Sequence, residues 1–470
     1  MLSSGGFKVE KAVFYGMFNK ETVNKLFNSL RITYTPKIGA PVLTKLYSVD
    51  ALYVYLPRTF AQLISKYVEI KYAYVELAAI APFQLVATLV PNQILVVNKI
   101  VGEFTSRPVH SASICLNMKA GLGKTFVAAG VIAGLSKRTL YIVPKKPLAV
   151  QARDDMIGCF GGNPTIRLYT KKQNHLDNVI TIVVINSALK QPKEFFDSYA
   201  LCVMDEVHMY CSEKRRIIFK KTCLPYVLGM SATTNNRKDL LDPCFQKEVA
   251  CGGIIHADQL PGWEHTDVVF KTQVDICQYY GPDEFTRTLK HESTDVIFTP
   301  YMHKQFIQDP YRMRFAVTEI GKLYNEGHNI YVFAEERDML DTLRQNMITL
   351  VDAIAIEEDT GKFIGGINNA AIKDVSTKRI ILTTYGYSST GVSIDKQTAI
   401  VFLTSRRANM LQILARILRR GGDQTIQRRI IDIVDIRTPL RWQLTDRQIA
   451  YDYYDMTCNV RNINYNKITL

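Results

Sequence analysis

Three short stretches hold residue types whose spacing could do chemistry together. The first is Met118–Thr125, MKAGLGKT, whose tail Gly121-Leu122-Gly123-Lys124-Thr125 has the layout of a phosphate-binding loop. Gly121 and Gly123 would let the backbone close round a phosphate, with N–H groups of the following helix pointing at it. Lys124 would reach the β- and γ-phosphates of a nucleoside triphosphate, and Thr125 would hold Mg2+. The full pattern asks for glycine at position 118, where this chain has Met118. Alone, the stretch could also be an ordinary glycine turn. The second is VMDEVH, residues 203–208, an apolar run ending in two carboxylates. Asp205 at the strand tip would bind Mg2+, Glu206 would polarise an attacking water, and His208 would pass on the nucleotide state. A lone Asp-Glu pair would be a solvated strand end. The third is GMSATT, residues 229–234, where Ser231 and Thr233 offer small hydroxyls that could link two sites. By itself it would be a strand-to-loop turn.

These residues need a scaffold that brings loop tips together. RTLYIVP (138–144), ITIVVIN (180–186), ALCVMDE (200–206) and YVLGMSA (226–232) are short, apolar and β-branched, with little alternation. Parallel strands covered on both faces read this way. KTFVAAGVIAGLSK, after the glycine loop, has the composition of a buried helix ending near Gly134–Ser136. The repeating β-loop-α pattern predicts a doubly wound α/β sheet. It lapses from about 250 to 320, then resumes with NIYVFAE (329–335), RIILTTY (379–385), AIVFLTS (399–405) and RRIIDIVDI (428–436). The expected division is an N-terminal accessory domain over 1–75 and an ATP-binding domain over 76–255. A linker or insertion over 256–320 and a second α/β domain over 321–470 complete it.

The 470 residues, 47% hydrophobic and 22% charged, suit two or three folded domains rather than a disordered chain. A net charge of +14 fits a polyanionic partner, nucleic acid before an anionic membrane surface, or else an idle basic surface. Nine cysteines without a C-x-x-C pair argue against a zinc ribbon, a metal cluster and a disulfide framework. The most apolar stretch, AYVELAAIAPFQLVATLV, is broken by Glu76, Pro82 and Gln84, so no membrane span is expected. The N-terminus shows no signal-peptide layout, and a reducing, cytoplasmic setting is the expectation.

With GKT, DEVH and SAT in that order, the chain resembles the superfamily 2 helicases and translocases of DExH type. TTYGYSSTGVSID (383–395) is similar to that family's fifth motif, which implies Gly391 and Asp395 near the ribose or the interdomain cleft. QILARILRR (412–420) resembles the sixth, Q-x-x-G-R-x-x-R: Gln412, Arg416 and Arg419 match, and Ala415 replaces the family glycine. LVPNQ (89–93) resembles the adenine-recognising segment, with Gln93 in that role. IVPKKPLAVQA (142–152) and VINSAL (184–189) resemble motifs Ia and Ib. The likeness spans about residues 89–436. Within the superfamily, the layout is most similar to the transcript-release DNA helicases of large cytoplasmic DNA viruses of the poxvirus type.

The resemblance implies two RecA-like domains in tandem that clamp one ATP with Mg2+. Arg416 and Arg419 would act as arginine fingers, and on a helix their spacing of three would put them on one face. Ser187, Thr383 and Thr384 would contact phosphates of the nucleic acid, making binding sequence-independent and salt-sensitive. The basic runs Lys214-Arg215-Arg216 and Arg428-Arg429 could extend that track or be solvated faces. The expected activity is that of an ATP-dependent DNA helicase or translocase in viral transcription or replication, in the host cytoplasm or virion. An RNA helicase on the same motor and a non-catalytic subunit keeping the fold are the alternatives. A restriction motor would need a separate nuclease constellation, and none is visible outside the motifs.

Overall fold

The computed structural model describes residues 1–3, 5–35, 40–74, 80, 82–170, 177–234, 240–264, 270–290, 297–350, 353–365, 369–388, 394–406, 410–418 and 422–470. The chain divides into two compact units, Met1–His265 and Thr266–Leu470. Among the described residues no helix is long and apolar enough to cross a membrane.

Six short strands open the first unit: β1 (Leu2–Ser3), β2 (Gly6–Glu10), β3 (Arg31–Tyr34), β4 (Val42–Lys45), β5 (Ser48–Val49) and β6 (Tyr53–Leu56). They form an antiparallel sheet, β1-β2-β6-β5, and a separate β3-β4 pair. Alternation sends Phe7, Val9, Val54 and Leu56 inward, where they meet Phe14, Ile64 and Cys223. Arg58, fully buried, carries this module onto the rest of the unit. Its guanidinium donates to the carbonyls of Val109, Leu224 and Pro225, and its backbone N–H donates to Glu248 Oε2 at 3.2 Å. Burial pushes the Glu248 carboxyl up to about 7. The first 74 residues are thus packed within the first unit, through an arginine that sequence reading did not single out.

The strands β7 (Ser113–Asn117), β8 (Thr139–Val143), β9 (Ile166–Leu168), β10 (Ile180–Val184), β11 (Leu201–Met204), β12 (Tyr226–Ser231) and β13 (Ile254–His256) build one parallel sheet. Its order is β13-β7-β12-β11-β8-β10-β9. Two hydrophobic clusters, one on each face, bury it, so its strands are mainly apolar, with Asn117, Ser231 and His256 at their ends. The neighbours β7, β12 and β11 end side by side, with Asn117 opposite Ser231 and Met204 opposite Gly229. The helix Lys124–Leu135 packs tightly on the helix Pro91–Ser106: a Cβ on Gly130 would lie 2.6 Å from Val97 Cγ2, and one on Gly134 2.9 Å from Val101 Cγ2. That close approach holds the start of both helices at one end of the sheet.

The second unit repeats the plan. Its strands are β14 (Thr272–Tyr280), β15 (Ile330–Ala334), β16 (Thr360–Phe363), β17 (Ile380–Thr384), β18 (Ala399–Phe402), β19 (Arg428–Asp435) and β20 (Thr457–Asn464). They form a parallel sheet in the order β16-β17-β15-β18-β19-β14-β20. The two RecA-like doubly wound domains expected from sequence are therefore present. The segment read as linker differs from that reading, because β14 lies within it and pairs with both β19 and β20. Its polar residues concealed it: Asp275, in the middle of the strand, is buried against Arg429, whose Nη2 donates to it at 2.8 Å.

Candidate active site

The residues between β7 and the helix Lys124–Leu135 turn sharply. Gly121 and Gly123 have φ of 88° and 85°, the left-handed region that favours glycine. Gly123 is fixed a second time, since a Cβ there would lie 2.4 Å from Gln93 Nε2. Among described residues other than glycine, left-handed backbone occurs at Ser136, Glu206, Leu240 and Asp455, and not at Met118. Position 118 therefore does not require glycine. Its side chain is 2% exposed and packs in the core, its N–H donates to Ser231 O at 3.1 Å, and its carbonyl accepts from Lys124 Nζ at 3.4 Å. Thr125, next to Lys124, is half-buried.

The carboxylates come in from the tip of β11. Lys124 Nζ lies 3.9 Å from Glu206 Oε1. Asp205 Oδ1 accepts from the Glu206 N–H at 3.0 Å, and the Asp205 carbonyl is 2.7 Å from the Tyr210 hydroxyl. Burial, reinforced by the adjacent Glu206 and opposed by Lys124, pushes the Asp205 carboxyl up to about 7. Glu206 itself has φ 47°, a strained conformation for a residue with a Cβ. Its Oε2 is buried and makes no hydrogen bond; His208 Nδ1 lies 3.4 Å away but is directed at Ser231. Among the described residues, two half-buried carboxylates thus face one ammonium here, an excess of negative charge.

His208 and the third stretch are joined. His208 Nδ1 is 2.8 Å from Ser231 Oγ, which donates to Thr233 O at 2.6 Å and accepts from Thr233 N at 2.9 Å. The serine's one proton is used on Thr233, so the proton between His208 and Ser231 belongs to the imidazole. Beside them, Asn117 Nδ2 donates to Thr234 Oγ1 at 2.9 Å and lies 3.1 Å from His256 Nδ1. Asn117, Thr234, His256 and Tyr210 were not found from sequence. Their only signal is position, at the ends of β7, β12 and β13 and just past β11.

Gln93 sits at the start of the helix Pro91–Ser106, its Nε2 donating to Leu122 O at 3.0 Å and its Oε1 accepting from Val90 N at 3.2 Å. It thus fastens the helix to the glycine loop. Ser187 is exposed just past β10.

In the second unit, Thr384 is half-buried at the end of β17. Thr383 corrects the sequence reading: it is fully buried, and its hydroxyl donates to Phe363 O at 2.6 Å inside the sheet, so it is not a surface grip. Asp395 is exposed. Gln412 is half-buried on the helix Met410–Leu414. That helix stops before Arg416, contrary to the single helix expected. Arg416 N donates to Ile413 O and Ile417 N to Leu414 O, the tighter i to i+3 pattern. Arg428 Nε draws the Ile417 carbonyl aside at 2.6 Å. Arg416 is buried. Gly391 and Arg419 lie outside the described residues. Arg428 and Arg429 form neither a track nor a solvated face. Arg428 is buried and bonds three carbonyls, and Arg429 pairs with Asp275.

This geometry can be set beside known proteins. Residues 87–236 match the family described as "Type III restriction enzyme, res subunit". An African swine fever virus protein named "Putative ATP-dependent RNA helicase QP509L" is 32% identical over 358 residues, covering 72% of this chain and 68% of that protein. The chain belongs to the superfamily 2 helicases of large DNA viruses. Helicases of this family are ATP-dependent enzymes. The mimivirus "Putative ATP-dependent RNA helicase L396" is 26% identical, covering 74% of this helicase and 64% of that one. Phage T4 "ATP-dependent DNA helicase uvsW" is 22% identical, covering 68% and 64%. Among solved structures, Mss116p bound to ssRNA and AMP-PNP covers 80% of this helicase and 74% of that chain, at 14% identity and TM-score 0.54. Dbp5 of S. cerevisiae, bound to RNA and ADP BeF3, covers 80% and 94%, at 13% identity and TM-score 0.50. At those identities the likeness concerns the fold.

Proposed function

We propose that the chain couples ATP hydrolysis to movement along a nucleic-acid backbone. The observation that carries this reading is the convergence of Lys124, Asp205 and Glu206 at the ends of neighbouring parallel strands, with His208 bonded to Ser231 beside them. Lys124 binds the β- and γ-phosphates, and Glu206 orients and polarises the attacking water. The excess of negative charge at Asp205 and Glu206 suits Mg2+, with Thr125 and Asp205 as its holders; the cation would neutralise developing phosphate charge. Arg416 and Arg419, from the second domain, complete the charge neutralisation, and Gln93 recognises the adenine. Gly391 and Asp395 act near the ribose. Ser187 and Thr384 contact phosphates of the track. The His208–Ser231–Thr233 chain passes the state of the ATP site to the nucleic-acid site.

DNA is the first track assigned, from the likeness in motif layout to transcript-release DNA helicases, with a role in viral transcription or replication. RNA is the second reading, and the names of the African swine fever virus and mimivirus relatives favour it. The deciding experiment measures ATPase activity with single-stranded DNA, duplex DNA and RNA in parallel, at several salt concentrations. Stimulation by one polymer type, falling steeply with salt and indifferent to sequence, is the expected result. Equal turnover with and without every polymer would overturn the motor.

A further inference from the structure

We infer that the outer face of the helix Leu444–Tyr453 is a docking surface for a basic, apolar-faced segment of a protein partner. This helix follows the 3-10 turn Pro439–Gln443, and Gln443 and Leu444 both keep helical backbone angles across the junction. Trp442, Ile449 and Tyr453, seven and four residues apart, therefore share one face. The opposite face is anchored in the unit. Arg447, Ala450 and Tyr451 are buried, and Arg447 Nε and the Tyr451 hydroxyl each donate to Asp432 Oδ2 at 2.8 Å. A helix so anchored normally turns polar residues outward. Here Trp442 is 63% exposed, Ile449 64% and Tyr453 38%.

Charge selects the occupant. From Arg441 to Asp455 the acids are Asp446, Asp452 and Asp455; of the two bases Arg447 is buried on Asp432, and exposed Arg441 lies over the Trp442 ring at 5.1 Å, so three acids stand against one exposed base. The surface is locally acidic on a chain of net charge +14. A phosphate backbone is repelled there, whereas a basic segment is attracted. Trp and Tyr are also the residue types that most often anchor protein interfaces. The Tyr454 hydroxyl donates to Leu411 O at 3.0 Å, on the helix that precedes Arg416. A docked partner thus bears on the sixth-motif segment and alters ATP turnover, a step that rests on the proposed function, whereas docking itself does not.

The chain carries its own reporter, since of its two tryptophans Trp263 is buried and Trp442 exposed. The full chain is titrated with a short helical leucine–lysine peptide and its leucine–glutamate counterpart while tryptophan emission is read. The expected result is a blue shift with the basic peptide alone, and affinity at least ~10-fold weaker in Ile449→Lys, which removes the apolar contact, opposes the basic peptide and retains Trp442. Basal ATPase of Ile449→Lys should match wild type. Equal response to both peptides, or undiminished binding by Ile449→Lys, would overturn the inference. Self-association lost in that variant would assign the face to a second copy. A blue shift with an oligonucleotide would assign it to nucleic acid. If docking occurs without changing turnover, only the link to the sixth motif fails.

Discussion

Asp205→Asn should change how stability depends on pH. The Asp205 carboxyl is raised from 3.8 to about 7 in the folded protein. Below the lower value both folded and unfolded states are protonated, and the group contributes nothing. Between the two values the unfolded chain ionises while the folded one keeps its proton, so stability falls as pH rises. Above the upper value both are ionised and the full penalty stands, at most about 4 kcal/mol at 1.36 kcal/mol per unit. From pH 5 to pH 8 the loss comes to about 2.7 kcal/mol on the same constant. Asparagine cannot ionise and can still accept from the Glu206 N–H. Wild type should therefore lose roughly 5–10 °C in Tm relative to Asp205→Asn across that range. Glu248, also raised to about 7, is common to both proteins and cancels in the difference. The assay is thermal melting of both proteins at matched ionic strength. Mg2+ with nucleotide should flatten the wild-type slope by favouring the ionised carboxylate. A Tm difference that stays constant from pH 5 to 8 would refute the reasoning.

Three further outcomes are expected. Lys124→Ala should abolish ATP turnover because the β- and γ-phosphates lose their cation, and near wild-type turnover would reduce the loop to a bend. Arg419→Ala should lower turnover on the order of 10²-fold or more with little change in ATP affinity, whereas Arg420→Ala should be much milder. The reverse ranking in a steady-state ATPase assay would misplace the sixth motif. Ser231→Ala removes the partner of His208 and leaves Lys124 and Glu206 in place, so ATPase should survive within a few-fold while strand displacement fails. Equal losses in both assays would deny Ser231 a coupling role.

The strands that hold the chemistry were legible because parallel strands buried on both faces must be apolar runs. Their tips carry the residues whose types betray the reaction. What escaped sequence reading has specific causes. β14 alternates polar residues with apolar ones because Asp275 is neutralised in place by Arg429. β20 reads as a loop since it is an exposed, polar edge strand. Thr383 carries a hydroxyl that matches the expected grip, but β17 points it at Phe363 O. The Arg416 segment tightens past Leu414, with Arg416 N on Ile413 O and Ile417 N on Leu414 O, and Arg428 holds the Ile417 carbonyl, none of which the spacing of Gln412 and Arg416 announces. Asn117, Thr234 and His256 meet only after three separate strands align, an event that spacing along the chain does not announce.

Arg58 also sets a timetable for synthesis. The module that holds it leaves the ribosome before the rest of its unit, yet the groups that receive its guanidinium and backbone N–H lie as many as 190 residues further on, at Glu248. At translation rates of ~5–20 residues per second, this arginine waits roughly 10–40 s for its last partner. During that interval the early sheet has no seat, and its apolar underside, later closed by Cys223, is open to chaperones and to neighbouring nascent chains. These strands are made long before the groups that secure them, so folding errors near Glu248 would surface as proteolysis in the β1–β6 module.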